Sequence, residues 1–287
     1  MTPTEYIIEK HSETKQLSHA SNIITKLKKG NLTPKQKVAL NDIVVEYAKY
    51  LKEIVQIKIN SDKDIEKSVK LLNKYYNFLH KNKYDNTFSA QGKFRPTILE
   101  EFLYFLFRDI VHAKKIQYDS ANVVSSGNVK AYTNLFFKAK DFPNFIKSPE
   151  IGINEKDQDY AIFRSFDVAI DNNPPIKVQI PAIAIEAKTY IDKTMLDSII
   201  ATAEKLKSGN PYTRFVVVAE RYDVGLAVDP SYSRIDQIYV LRKGMRKDEW
   251  KEIDSKVVCR LFHETTNHME RPWSDISQRL NEEGVIL

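Results

Sequence analysis

One cysteine, Cys259, is all the chain offers, so an internal disulfide and a thiolate metal cluster are excluded and a reducing compartment is expected. No run approaches the roughly 18 apolar residues of a membrane span, and the start, Met1-Thr2-Pro3-Thr4-Glu5, lacks a basic segment followed by an apolar one. A soluble, cytoplasmic protein without a membrane partner is expected. Only eight glycines are present, too few to favour a loop that cradles nucleotide phosphates, and neither G-x-G-x-x-G nor a Gly-rich loop before Lys-Ser/Thr occurs. There is no G-x-S-x-G elbow for a serine nucleophile. The six histidines form no H-E-x-x-H, and His263 and His268, five apart, do not stack on one helical face. Zinc chemistry is therefore disfavoured.

Arginine is missing from the first 90 residues, which carry 16 Lys against 10 Asp plus Glu, while the remainder balances at 28 against 28. The whole excess of +6 lies in that N-terminal third. Lysine acts as a point charge, suited to sequence-independent attraction to phosphates, although Lys-rich helices are also ordinary solvated faces.

Periodicity divides the chain into a Lys-rich helical subdomain, residues 1–90, and an α/β domain, residues 91–287. Within the first part a helix is predicted from about Glu9 to Lys29. A second opens at Thr33-Pro34-Lys35-Gln36, which combines a capping box with proline at the first helical position. A third runs from Ser61 to about Asn82. After a connector, Thr97 and Glu100 fit a capping box opening a helix whose apolar faces are nearly continuous through Ile110. Residues 119–144 are polar and read as a loop, although Asn122, Ser126, Asn128 and Lys130 are suited to base edges and phosphates. Hairpin strands are predicted around Ile162 to Ile170 and Ile176 to Lys188, on either side of the turn Asp171-Asn172-Asn173-Pro174-Pro175. Pro181 marks an edge or kink in the second of them. A helix from Lys193 to Lys207 and a buried strand at Phe215 to Ala219 follow, which implies a parallel crossover. Then come a strand at Gln237 to Leu241, a basic turn with Arg242, Lys243 and Arg246 as candidate DNA contacts, a helix through Trp250 to about His268 and a short helix from Ser274.

The chemistry concentrates in the predicted hairpin. The apolar run Ile180 to Ile185 delivers Glu186-Ala187-Lys188, and strand alternation puts Glu186 and Lys188 on one face. Eighteen residues separate Glu186 from Asp167 on the first strand. Asp167 and Glu186 can converge on a divalent cation, with the Lys188 ammonium beside the reacting water or phosphate. Glu-x-Lys alone is weak, because charged chains contain it by chance; its apolar approach and the helix and buried strand behind it give it weight.

This arrangement resembles the PD-(D/E)xK nucleases, with Asp167, Glu186 and Lys188 on the motif and Phe166 where the family often has proline. More narrowly, the span from the Leu99-Glu100-Glu101-Phe102-Leu103 helix to the Val216-to-Tyr222 strand end resembles subunits of BbvCI-type heterodimeric restriction endonucleases. The resemblance implies an α/β core with a mixed central sheet flanked by helices, after an N-terminal helical subdomain. It implies Mg²⁺-dependent phosphodiester hydrolysis in double-stranded DNA, with Mg²⁺ held by Asp167, Glu186 and the Ala187 carbonyl. Lys188 would be catalytic, and Glu100 or Glu101 would add a helix carboxylate. The expected partner is a related second subunit, with a homo-oligomer as the alternative assembly. The rival reading is a non-catalytic recognition or assembly subunit on the same fold.

Overall fold

The computed structural model describes residues 1–88, 94–119, 124–169, 174–273 and 276–284. Helices α1 (Pro3–Glu13), α2 (Ser18–Lys28), α3 (Pro34–Ile54) and α4 (Asp62–Lys81) precede α5 (Pro96–Gln117). Then follow β1 (Val124–Lys138), α6 (Phe142–Lys147), β2 (Glu150–Val168), β3 (Ile176–Ile191), α7 (Lys193–Gly209), β4 (Arg214–Tyr222), β5 (Gln237–Val240) and α8 (Ser255–Glu270). The described strands form one mixed sheet in the order β1-β2-β3-β4-β5. β1, β2 and β3 are antiparallel neighbours, whereas β3-β4 and β4-β5 are parallel. This is the α/β architecture and the parallel crossover that the sequence implies.

Local chemistry sets the helix ends. Thr33 and Gln36 close both arms of the capping box before α3. The predicted helix from Glu9 to Lys29 is instead two helices. α2 has no cap of its own, and its first N–H groups, from His19 and Ala20, donate 3.0 and 3.1 Å to the carboxylate of Glu101 on α5. Tyr47 completes that buried site with a 2.7 Å bond. Burial pushes the Glu101 carboxyl up to about 7 against these three donors. α5 begins at Pro96 without a side-chain cap. Thr97 Oγ1 donates to the Phe94 carbonyl, so the Thr97–Glu100 capping box does not form.

One apolar core runs from Ile7 through α3, α4 and α5 to the sheet residues Tyr160, Ile185 and Val218 and on to Leu261, and so spans residues 1–90 and 91–287 alike. The opposite sheet face packs Ala161, Ala184 and Val217 against α7. At the end of α7, Gly209 approaches β1 so closely that an added Cβ would lie 2.0 Å from the Thr133 carbonyl oxygen. No described helix is long and apolar enough to cross a membrane.

Two expectations change at β1 and β3. Residues 124–138, read as loop, are a strand. Pro181 lies in the centre of the sheet, on β3, where a register shift between Ile162 and Phe163 absorbs its missing N–H. The predicted turn residues 171–173 lie outside the described ones. At the other end of the chain, α8 starts behind the Asp254 cap, five residues after the expected Trp250. Ser274, where a last helix was expected to open, is also outside the described residues, and Ile276–Gln278 is helical.

Arg242, expected on a solvated basic turn, is fully buried. Its Nε donates 2.8 Å to Glu220, and its guanidinium lies 4.0 Å above the Trp250 ring. Arg95 reaches the same carboxylate at 2.9 Å. Burial alone would raise the Glu220 carboxyl, but the two guanidinium groups outweigh it and hold it below the usual range. Glu220→Ala would leave two guanidinium groups without their shared anion, and a loss of about 3–5 kcal/mol in denaturant unfolding is expected. A loss under about 1 kcal/mol would show that the cluster contributes little.

Candidate active site

The site arises where the sheet forks. β2 pairs with β3 from Val168 back to Tyr160, opposite Ile185, and there the ladder stops. β1 stays with β2 past that point, through a shift in register between Gly127 and Val129 that gives β2 one extra residue at Asp159-Tyr160. A bulge of this kind re-aims a side chain. Here it turns Asp159 toward β3. Asp159 Oδ2 accepts the Ala187 N–H at 2.9 Å and lies 3.3 Å from Lys188 Nζ, which donates 2.8 Å to Glu186 Oε2. The side chains of Asp159, Glu186 and Lys188 are 24, 13 and 30% exposed, so all three are screened yet reachable.

Burial pushes the Glu186 carboxyl up, and the charge of Asp159 adds to this while Lys188 opposes it. Burial also works against the Lys188 ammonium, but Asp159 and Glu186 outweigh it and raise its pKa. Two carboxylates crowded around one cation leave a net negative charge that a further cation would relieve.

Asp167 does not take part. It faces Lys177 near the turn end of the hairpin, eight residues and roughly 26 Å of strand from Asp159. The expected convergence with Glu186 is replaced by Asp159, which sequence reasoning missed. The signal was present: a hairpin centred on the turn near residue 173 brings residue 186 opposite residue 160, not 167.

The other candidates scatter. Ala187 packs its methyl in the core. Glu100 is partly buried on α5, whereas Glu101 is taken up as the tertiary cap of α2. Asn122 lies outside the described residues. Ser126 is half-buried on β1 opposite Ile162. Asn128 is exposed, but its Nδ2 donates 2.8 Å to the Asp159 carbonyl, so it braces the bulge. Lys130 is exposed opposite Asp157. Lys243 pairs with Asp254, and Arg246 is exposed over Tyr190. Among the described residues no group of three or more His, Cys, Asp or Glu could hold a metal; Asp159 and Glu186 are the two carboxylates that meet on Lys188.

A mixed sheet whose central hairpin presents two carboxylates and a lysine, packed between α5 and α7, is an α/β fold of the PD-(D/E)xK type. The model of the Bpu10I restriction endonuclease family matches residues 91–262, and the chain belongs to that family of site-specific DNA endonucleases. Its fold is similar to a chain of the native BbvCI A2B2 tetramer, with a TM-score of 0.70 and 23% identity over 89% of this chain and 96% of that one. No curated protein sequence matches.

Proposed function

We propose that this chain is a catalytic restriction endonuclease subunit that hydrolyses one strand of double-stranded DNA per active site, with Mg²⁺ held by Asp159 and Glu186. The observation that carries this reading is the meeting of both carboxylates on Lys188. The donor set fits the ion: its oxygens are hard, and Mg²⁺ commonly takes only one or two carboxylates, leaving its remaining positions to water and phosphate. The Ala187 carbonyl and Glu100 are further ligands within this proposal. When bound, the ion supplies Lewis-acid activation of water and neutralises phosphate charge.

The chain's own groups do the rest. The Ala187 N–H fixes Asp159 before DNA arrives, so its orientation costs little on binding. The Lys188 ammonium faces the place where charge develops and donates to it. Lys188→Ala is therefore expected to lower the cleavage rate on the order of 10²–10³-fold with DNA affinity little changed. Plasmid nicking in Mg²⁺ compared with Ca²⁺, beside binding measured without turnover, tests this. A near-normal rate in the variant would remove Lys188 from the mechanism, equal cutting in both ions would overturn the Mg²⁺ reading, and no cutting in either ion would favour the non-catalytic recognition subunit.

The solved relative is an A2B2 tetramer, and we carry that over as assembly with a related second subunit. A homodimer on a palindrome is the alternative that two-fold closure favours in general.

A further inference from the structure

Asp159 belongs to no rung of either ladder beside it. The β1-β2 register passes from Val129 opposite Gln158 to Gly127 opposite Ala161, so Asn128 alone on β1 faces both Asp159 and Tyr160 on β2. On the other side the β2-β3 ladder ends at Tyr160 opposite Ile185. Tyr160 therefore keeps one rung, and its buried ring stacks 5.7 Å from that of Phe107 on α5. Asp159 has neither support.

Two bonds from outside the ladders hold it instead. At the carboxylate end, Oδ2 accepts the Ala187 N–H at 2.9 Å. At the main-chain end, its carbonyl accepts a bond from Asn128 Nδ2 at 2.8 Å. A bulge disrupts the ladder where it falls, and a carbonyl there takes its donor from elsewhere; the Asn128 amide is that donor. Gly127, just before it, has a φ of +126°, which a residue with a Cβ rarely adopts. An added Cβ there would also lie 1.7 Å from Gln16 Oε1, in the connection between α1 and α2. The backbone that presents Asn128 to Asp159 is thus specified by glycine on one side and covered by Gln16 on the other.

Resting on the nuclease reading of Asp159, we propose that Asn128 is a positioning residue for the reaction. By holding the Asp159 carbonyl it fixes the main chain from which the carboxylate reaches Ala187 and Lys188. Rotation of that main chain turns the carbonyl and the side chain together, and a displacement of about 1 Å at a catalytic group costs on the order of 10²-fold in rate. With Nδ2 engaged on the protein, Asn128 is not the bidentate reader of adenine that its residue type suggests.

The test joins hydrogen exchange at the Ala187 amide in the metal-free chain to plasmid nicking in Mg²⁺ and duplex binding in Ca²⁺. In Asn128→Ala the Ala187 amide, less steadily covered by the Asp159 carboxylate, is expected to exchange on the order of 10-fold faster while global unfolding stays close to that of the unmodified chain. Nicking at saturating DNA should slow by on the order of 10–10²-fold, with DNA affinity within about twofold. Asn128→Asp keeps the volume but turns an acceptor on the carbonyl, so its loss should be at least as large. Asn128→Gln, which keeps the amide donor, should recover part of the rate and of the protection. If Asn128→Ala fails to fold, the aspartate and glutamine variants carry the same comparison. Unchanged exchange at Ala187, or faster exchange with a full nicking rate, would overturn the proposal. A fall in affinity with a normal rate at saturating DNA would do so too, and would make Asn128 a DNA contact. Full nicking in Asp159→Asn would instead overturn the reading of the site, while exchange at Ala187 would still decide whether Asn128 holds Asp159.

Discussion

Asp159→Asn is expected to reduce plasmid cleavage by at least on the order of 10²–10³-fold, whereas Asp167→Asn should leave it within about twofold. The asymmetry follows from the register. Asp159 shares Lys188 with Glu186 at 3.3 and 2.8 Å, while Asp167 sits beside Lys177 at the other end of the ladder. Asparagine can still accept the Ala187 N–H through its carbonyl oxygen, so the fold should survive the substitution at 159. What it removes is the negative charge, and with it half of the hard-oxygen donor pair. Thermal unfolding close to that of the unmodified chain would confirm that a lost activity is chemical. The reverse ranking of the two variants would return Asp167 to the site and remove Asp159 from it.

Glu186→Gln in this chain, assembled with an intact second subunit, is expected to yield an enzyme that nicks one fixed strand. One chain offers one Asp159, Glu186 and Lys188 set, and one in-line displacement site addresses one scissile phosphate. The two backbones of a duplex run antiparallel and present their phosphates in different orientations, so a double-strand break needs a second site. Glutamine keeps the volume of Glu186 and takes away the carboxylate that Lys188 grips at 2.8 Å. Strand-resolved gels on a plasmid with a single cutting site give the answer. A persistent nick confined to one strand supports divided labour between subunits, and equal loss on both strands rules it out.

The sequence was legible where burial imposes a pattern. Glu186 and Lys188 were found because β3 is apolar on both faces up to Ile185, so the change to charge stands out. β4, buried through most of its length, and α3, with its complete capping box, were equally plain. Residues 150–159 were not. There β2 pairs with β1 alone, most of its side chains meet solvent, and a strand without a buried face shows no alternation. The predicted strand consequently began near Ile162, and the nearest acid inside it, Asp167, was assigned the role of Asp159. β1 was read as loop for another reason: its burial does alternate, but the buried positions Gly127, Val129, Ala131 and Thr133 are small or polar, so the hydrophobic signal is weak. Arg242 failed differently. Its neighbours in sequence are cations, but its partner in space, Glu220, lies 22 positions earlier on β4, and no local pattern reports such a pair. Glu101 is alike, since the helix start that it caps lies 81 and 82 residues upstream.

The fork at Asp159 also sets the mechanics of the molecule. On one side of it β2 is clamped between β1 and β3; on the other it continues with β1 as a two-stranded ribbon, the most compliant form a sheet takes. Asp159 stands at the root of that ribbon, while Glu186 is fixed to β4 opposite Val217. Asp159 and Glu186 are thus held by different neighbours, β1 and β4, on the two sides of the fork. The prop under the ribbon is the seat of Gly209 on the Thr133 carbonyl, where no larger residue fits. The ribbon thus rests on the far end of α7, against a residue with no chemistry of its own.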